Sequence, residues 1–308
     1  MTNKIVAIQG NHPSKLNPKT DTSVFLAHEI QNKNYKIFYY DPKELSVINS
    51  EVIASGFFIK FDYKDKNFFK ILKKQKLALT KCKFILIRQD PPFNLEYISA
   101  TYILDTIKDK VKILNNPTSI RNISEKLYSV RYQKFMPSTI FTQNISEIKN
   151  FFKTHKKVII KPIHSYGGND IHLLNRFNSK FINQFIKKHD HIMCQKFLPK
   201  ISKGDKRVFL INGKVCGAIS RVPKQGSFLS NMSKGAKPIS IKLTKTEKKV
   251  SKLIAKDLKK ENIFFAGIDF IDQKLNGDIN VTSPTGLKTL NDLSGINLAK
   301  TFWKELKA

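Results

Sequence analysis

Acid, arginine and cysteine are all scarce in this 308-residue chain, which carries 24 aspartates and glutamates against 55 lysines and arginines, and three cysteines. Cys82, Cys194 and Cys216 lie far apart and show neither C-x-x-C nor zinc-finger spacing. That excludes a disulfide framework and a thiolate zinc site as organising features, and favours a reducing cytoplasm. No apolar run approaches the roughly 20 residues of a membrane helix, and the MTNKIVAIQG start lacks the basic and long apolar regions of a signal peptide. The patterns G-x-x-x-x-G-K-[ST], G-x-G-x-x-G, H-E-x-x-H and G-x-S-x-G are missing. No serine or cysteine has an identifiable base partner, so covalent catalysis is disfavoured and chemistry by positioning and electrostatics is expected.

What is abundant is lysine. The net charge is +31, and only six arginines (Arg88, Arg121, Arg131, Arg176, Arg207 and Arg221) contribute, leaving 49 lysines. Lysine is a flexible point charge, whereas bidentate readout of bases and phosphates prefers arginine. Scattered, solvated lysine is therefore preferred over nucleic-acid binding, which no recognition motif accompanies. With 41% apolar residues the chain is long enough for sizeable cores and is not disordered by composition.

Short β-rich runs alternate with helical patterns from Lys4 to Asn115. Strands are expected at 5–8, 36–40, 84–87 and 111–114, and amphipathic helices around 23–31, 68–79 and 96–107. That alternation predicts a parallel α/β sheet, with ligands beyond the carboxyl ends of its strands. Two such ends are polar: Gln9-Gly10-Asn11-His12 and Arg88-Gln89-Asp90-Pro91-Pro92. The next region, to about Leu198, reads as a compact α+β module with a helix through Glu125–Tyr128, strands at 139–141, 157–162, 170–174 and 192–195, and helices at 147–154 and 180–188. The last region opens on a hairpin, 207–211 and 214–220, turned by Asn212-Gly213. An aperiodic stretch from Pro223 to Pro238 reads as a lid-like loop. Thr244 and Glu247 form a capping box before an apolar stripe, strands follow at 264–271 and 278–282, and a helix closes the chain at 295–306.

Chemistry is expected where these elements end. Lys161 stands at a strand end before a turn finishing in Gly167-Gly168, a loop that lets backbone N–H groups approach phosphate oxygens. Asp278 and Asn280 alternate along a strand, so they project from one face about 6.6 Å apart. Two hard oxygen ligands at that spacing suit magnesium, which keeps waters and phosphates as its other ligands. Asp269 is a lone carboxylate in an apolar strand and needs a cation or donors to be buried there.

In sequence order, Arg88-Gln89-Asp90-Pro91-Pro92-Phe93, Asn115-Asn116-Pro117, Glu125-Lys126-Leu127, Lys161-Pro162 with Gly167-Gly168, Gly204-Asp205-Lys206-Arg207-Val208, Arg221-Val222-Pro223, Gly267-Ile268-Asp269 and Ile279-Asn280-Val281-Thr282-Ser283-Pro284-Thr285 extend over nearly the whole chain. With this set the chain resembles the bacterial glutathione synthetases, a family of ATP-grasp ligases. The resemblance implies an ATP-grasp fold: an N-terminal α/β substrate domain (1–117), a central lid domain (118–198) and a C-terminal domain (199–308), with ATP held between the last two. It implies ligation of γ-glutamylcysteine to glycine through an acyl phosphate, with Mg2+ or Mn2+, in a cytoplasmic homotetramer without membrane or nucleic-acid partners. Lys126, Lys161, Gly167 and Gly168 would meet the ATP phosphates, Gln195, Lys196, Phe197 and Leu198 would line the adenine slot, and Asp205 would face the ribose. Asp269, Asp278 and Asn280 would hold the metal, Arg207 and Arg221 would offset charge at the reacting groups, and Arg88, Ser283 and Thr285 would contact substrate. The chain departs from the family pattern at Asp278, usually Glu, at His164-Ser165, usually Asp-Gly, at Leu229, usually Arg, and at Lys288, Thr289 and Asn291. Those departures keep open a ligase with another amino-acid acceptor, or a non-catalytic ATP binder.

Overall fold

The computed structural model describes residues 4–308. Three sheets organise them. The first contains β1 (Ile5–Gln9), β2 (Lys36–Tyr40), β3 (Leu45–Ile48), β4 (Glu51–Phe61), β5 (Phe69–Ala78), β6 (Phe84–Ile87) and β7 (Lys112–Leu114), with α1 (Thr22–Gln31), α2 (Leu95–Asp105) and α3 (Pro117–Asn122) among them. Its order is β3-β4-β2-β1-β6-β7, and β5 lies along the other side of β4. β1, β2, β6 and β7 run parallel, as the strand–helix alternation predicts. Asp21 starts α1 by accepting from the Val24 N–H at 2.8 Å, which places the following buried face, including Val24, Phe25 and Leu26, against the sheet.

The helix expected over 68–79 is not formed. Those residues make β5, paired antiparallel with β4, so the sheet is mixed rather than purely parallel. Phe68, Ile71, Leu72 and Leu79 fit a helical stripe, but Phe69, Ile71 and Leu77 also fit period two, and pairing with β4 decides between them.

The second sheet, in the order β10-β9-β11-β8, is antiparallel and built from β8 (Thr139–Thr142), β9 (Val158–Pro162), β10 (His172–Leu174) and β11 (Ile192–Lys196). Two amphipathic helices, α4 (Ile145–His155) and α5 (Ser179–His189), cover it, and Ile148, Ile160, Ile182, Phe185 and Cys194 form a separate small core. The helix expected through Glu125–Tyr128 is instead a 3₁₀ stretch over Leu127–Phe135, whose Tyr128 and Tyr132 pack against the third sheet.

That third sheet, β14-β13-β12-β15-β16, contains β12 (Asp205–Ile211), β13 (Lys214–Val222), β14 (Lys237–Ser240), β15 (Phe265–Ile271) and β16 (Lys274–Asn280). The β12–β13 hairpin turns on Asn212 and Gly213 at φ 48° and 77°. The stretch expected to be all loop, 223–238, ends in β14, and the last strand covers Lys274–Asn280 rather than 278–282. α6 (Lys245–Lys260) carries the expected capping box between Thr244 and Glu247. α7 (Leu287–Ser294), not foreseen, and α8 (Leu298–Glu305) lie against α1, and one apolar core joins the first and third sheets through Phe25, Phe84, Phe302 and Trp303. No helix among the described residues is long and apolar enough to cross a membrane.

Candidate active site

A cleft of about 880 Å³ opens between the second and third sheets. β9 delivers Lys161, β11 and the turn after it deliver Gln195 to Leu198, and β12 and β13 deliver Asp205, Arg207 and Arg221. β15 and β16 deliver Asp269, Asp278 and Asn280. Of the residues expected from the sequence, all but Arg88, Ser283 and Thr285 line this cleft. Ser283 and Thr285 line a second, larger cavity of about 1820 Å³. That cavity also touches Gly167, Arg207, Arg221 and Asn280. Arg88 is buried beside it: Nε donates to Ser23 Oγ at 3.0 Å, Nη2 to the Pro284 carbonyl at 3.1 Å, and Nη1 has no partner among the described residues.

The buried charges are arranged in pairs. Arg207 reaches Asp269 with both Nε (2.9 Å) and Nη2 (2.7 Å), because β12 and β15 place these residues directly opposite each other. Arg221 pairs with Asp205 across the β12–β13 ladder and also lies 3.1 Å from Asp269. Burial alone would raise the Asp269 carboxyl, but Arg207 and Arg221 outweigh it and hold the group well below the usual carboxylate range. Asp278 behaves likewise: burial is outweighed by Lys161, 3.1 Å away, and Lys126, 3.7 Å away, so its pKa is lowered.

Lys126 and Lys161 reach the same carboxylate from opposite walls. Lys161 also donates to the Asn276 carbonyl at 3.0 Å, and Lys126 to the Ser165 carbonyl at 2.7 Å. Burial lowers the Lys126 pKa, which the proximity of Asp278 only partly reverses. The glycine turn follows Lys161 along the chain, and Lys126 holds its first residues through the Ile163 and Ser165 carbonyls. Gly167 and Gly168 take φ of 64° and 77°, and a side chain on Gly168 would collide with Asn231, so glycine is required for the approach of the 223–236 loop. That loop closes over the turn through Ser233 Oγ to the Gly167 carbonyl (3.4 Å) and Lys234 Nζ to Asn169 Oδ1 (2.9 Å), and presents Phe228, Leu229 and Ser230 to the cleft.

Asp269, Asp278 and Asn280 supply two carboxylates and an amide, all hard oxygen donors lining one cleft. Asn280 Nδ2 donates to the Gly267 carbonyl at 3.1 Å, which leaves its Oδ1 free to act as a ligand. No group of three or more His, Cys, Asp or Glu that could hold a metal occurs among the described residues, so a metal here needs the Asn280 amide or a phosphate to complete its set.

Two residues that the sequence offers only as motif pieces, with no role, prove to be structural anchors. Asn115 is buried between the first and third sheets, where Nδ2 donates to the Phe265 and Val281 carbonyls (both 2.7 Å) and Oδ1 accepts from the Phe264 and Phe265 N–H groups (2.9 and 2.8 Å). Glu125 Oε1 accepts from the N–H groups of Val281 and Thr282 and from Thr282 Oγ1, at 2.8, 3.0 and 2.9 Å. Nothing local in the sequence signals what either one bonds, because the partners lie about 150 residues away.

A cleft between two antiparallel sheets, lined by two lysines that converge on one carboxylate and by arginine–carboxylate pairs, has the architecture of an ATP-grasp ligase. Solved structures of that class share the fold: the D-cycloserine synthetase DcsG superposes with a TM-score of 0.66 at 10% identity over 98% of this chain and 99% of that one. The ATP-grasp ligase PsnB complexed with a phosphomimetic precursor variant, Mg and ADP gives 0.65 at 13% identity over 100% and 98%. Family models describe residues 5–121 as the prokaryotic glutathione synthetase N-terminal domain and 125–295 as the prokaryotic glutathione synthetase ATP-grasp domain. The glutathione synthetase of Bradyrhizobium diazoefficiens is 32% identical over 98% of this chain and 97% of its own length, and that of Prochlorococcus marinus 35% over 91% of each. The chain belongs to the prokaryotic glutathione synthetase family and is an ATP-dependent carbon–nitrogen ligase. Ligases of this class use ATP with a divalent metal.

Proposed function

We propose that the protein joins γ-glutamylcysteine to glycine in the cytoplasm, with ADP and phosphate as the other products. The observation that carries this reading is the meeting of the lysine-walled cleft with a second cavity, lined by Ser283 and Thr285, across Arg207, Arg221 and Asn280. A carboxylate held in the second cavity would face a nucleotide held in the first. Its oxygen attacks the γ-phosphorus, ADP leaves, and the resulting acyl phosphate is attacked at carbon by the acceptor amine, expelling phosphate. No protein nucleophile is needed; alignment and charge neutralisation are.

In this assignment Lys126, Lys161 and the Gly167-Gly168 turn bind the phosphates, Gln195 to Leu198 the adenine and Asp205 the ribose side. Asp269, Asp278 and Asn280 hold Mg2+ or Mn2+, which when bound neutralises phosphate charge. Arg207 and Arg221, fixed by their carboxylate partners, face the charge that develops on the transferred group. Arg88, with one unpartnered buried nitrogen, suits a substrate carboxylate, alongside Ser283 and Thr285. The segments 1–117, 118–198 and 199–308 then serve as substrate, lid and nucleotide–metal domains, and the resemblance supports a homotetramer.

A coupled ADP-release assay with γ-glutamylcysteine and a panel of amino acids tests the reading, with EDTA abolishing turnover. A second reading, another amino-acid acceptor, rests on Leu229 in the cleft and on the start of α7, where Thr289 lines the second cavity and Lys288 is tied to Asp292 at 2.5 Å. Turnover with another amine but none with glycine would establish it.

A further inference from the structure

Four carboxylates line the nucleotide cleft: Glu125, Asp205, Asp269 and Asp278. Three are paired with cations, Asp205 with Arg221, Asp269 with Arg207 and Arg221, Asp278 with Lys161 and Lys126. Glu125 forms no ion pair among the described residues, and its neighbour Lys126 directs its ammonium to Asp278 and to the carbonyls of Ile163 and Ser165.

The two oxygens of Glu125 are used unequally. Oε1 is saturated by the three donors of Val281 and Thr282, and the Glu125 carbonyl takes the Ile279 N–H at 2.9 Å. The carboxylate is thereby anchored to the segment that carries Ser283 and Thr285. Oε2 receives no hydrogen bond from the described residues. Glu125 lines both the nucleotide cleft and the second cavity, so this oxygen belongs to a group standing where the two spaces meet.

An anchored carboxylate with one open oxygen, in a site whose other cleft carboxylates are neutralised, is a receptor for a cation that arrives with the substrate. Metal ligation is assigned above to Asp269, Asp278 and Asn280, and the nucleotide is anionic. The geometry points to Glu125 as the residue that takes a primary ammonium group of a substrate. This rests on the ligase reading above, in which both the acceptor amino acid and the α-amino group of the γ-glutamyl donor carry that chemistry.

Glu125→Gln separates this role from the structural one, because the amide oxygen can still accept from Val281 and Thr282 while the charge is gone. Steady-state kinetics should show the KM of one amino substrate raised about ten- to hundredfold, the loss of a charge-assisted bond, with the KM for ATP and the melting temperature unchanged. A rise confined to glycine assigns the acceptor. A rise confined to the donor assigns its α-ammonium, and a donor lacking that amino group should then bind wild type and variant alike. Unchanged KM values for both amino substrates would overturn the proposal. So would a lowered melting temperature with all KM values rising together, which would make Glu125 a structural residue only, and so would a KM defect in Asp90→Asn, at a carboxylate that also lines the second cavity, that Glu125→Gln lacks. If the wild type uses an amine other than glycine, the glycine assignment fails while this test proceeds with that amine.

Discussion

Where the first sheet meets the third, Trp303 is fully buried, donates its Nε1–H to the Leu26 carbonyl at 2.9 Å, and packs on Phe84 and Phe302. Asn115, Arg88 and Thr22 add hydrogen bonds across the same seam. Where the second sheet meets the third, Met193 and Phe141 reach the third sheet's apolar core, but the contacts around the cleft are polar: Lys161 with Asp278, Lys126 with two carbonyls, Lys200 with Asp272 and Lys234 with Asn169, while the second sheet keeps a further core of its own. A seam of buried apolar surface behaves as the interior of one folding unit, since separating it exposes area at about 25 cal/mol per Å². A seam of ion pairs can exchange partners. The cations that hold Asp278 can exchange it for another anion, a freedom that the apolar seam does not have.

Breaking the apolar seam should have the largest effect. Trp303→Ala is expected to cost about 3–5 kcal/mol in urea unfolding; a loss under about 1 kcal/mol would mean the first and third sheets are held by something else. Lys161→Ala attacks the polar seam and should lower kcat/KM for ATP by about two to three orders of magnitude, with a smaller loss of thermal stability than Trp303→Ala shows. Equal losses of stability in the two variants would erase the distinction between seams. Asn115→Ala leaves four buried backbone groups unpaired and should cost roughly 2–3 kcal/mol, read by the same unfolding curves.

Two smaller effects refine the contrast. Lys234→Ala removes an exposed contact between the loop and the glycine turn and should change stability by less than about 0.5 kcal/mol, with any effect appearing in the KM for ATP. His164 lies in the turn that leads to Gly167, stacked on Phe93, and burial and then Lys126 lower its pKa. The unfolded chain therefore binds the proton more readily. Stability from this group is complete above the ordinary histidine value and declines as pH falls through it. Because the ring is only partly covered, the slope is shallow. His164→Asn should flatten it between denaturation curves at acid and neutral pH, and an unaltered pH dependence would show that the group contributes nothing.

The period-two placement of Asp278 and Asn280 on one face, the Asn212-Gly213 turn and the Thr244–Glu247 capping box were legible because each depends on residues within a few positions of one another. The segment 68–79 was not, since its apolar spacing satisfies both helix and strand and only the partner strand β4 resolves it. Asp269 was correctly suspect as a carboxylate needing a cation, but that Arg207 is that cation follows from strand register, 62 residues away in sequence. The roles open to Asn115 and Glu125 depend on backbone atoms of distant strands, which composition and motif spacing do not report.

β5 leaves one side of its backbone unpaired at the rim of the first sheet, the arrangement that invites a strand from another molecule. Lys70, Lys73, Lys74 and Lys76 are all exposed along it, and Lys70 stands directly opposite Lys60. Two copies approaching through this rim would bring identical rows of positive charge together, so part of the lysine excess works as a guard on an open edge. Removing those charges would leave catalysis to the cleft and expose the chain to aggregation.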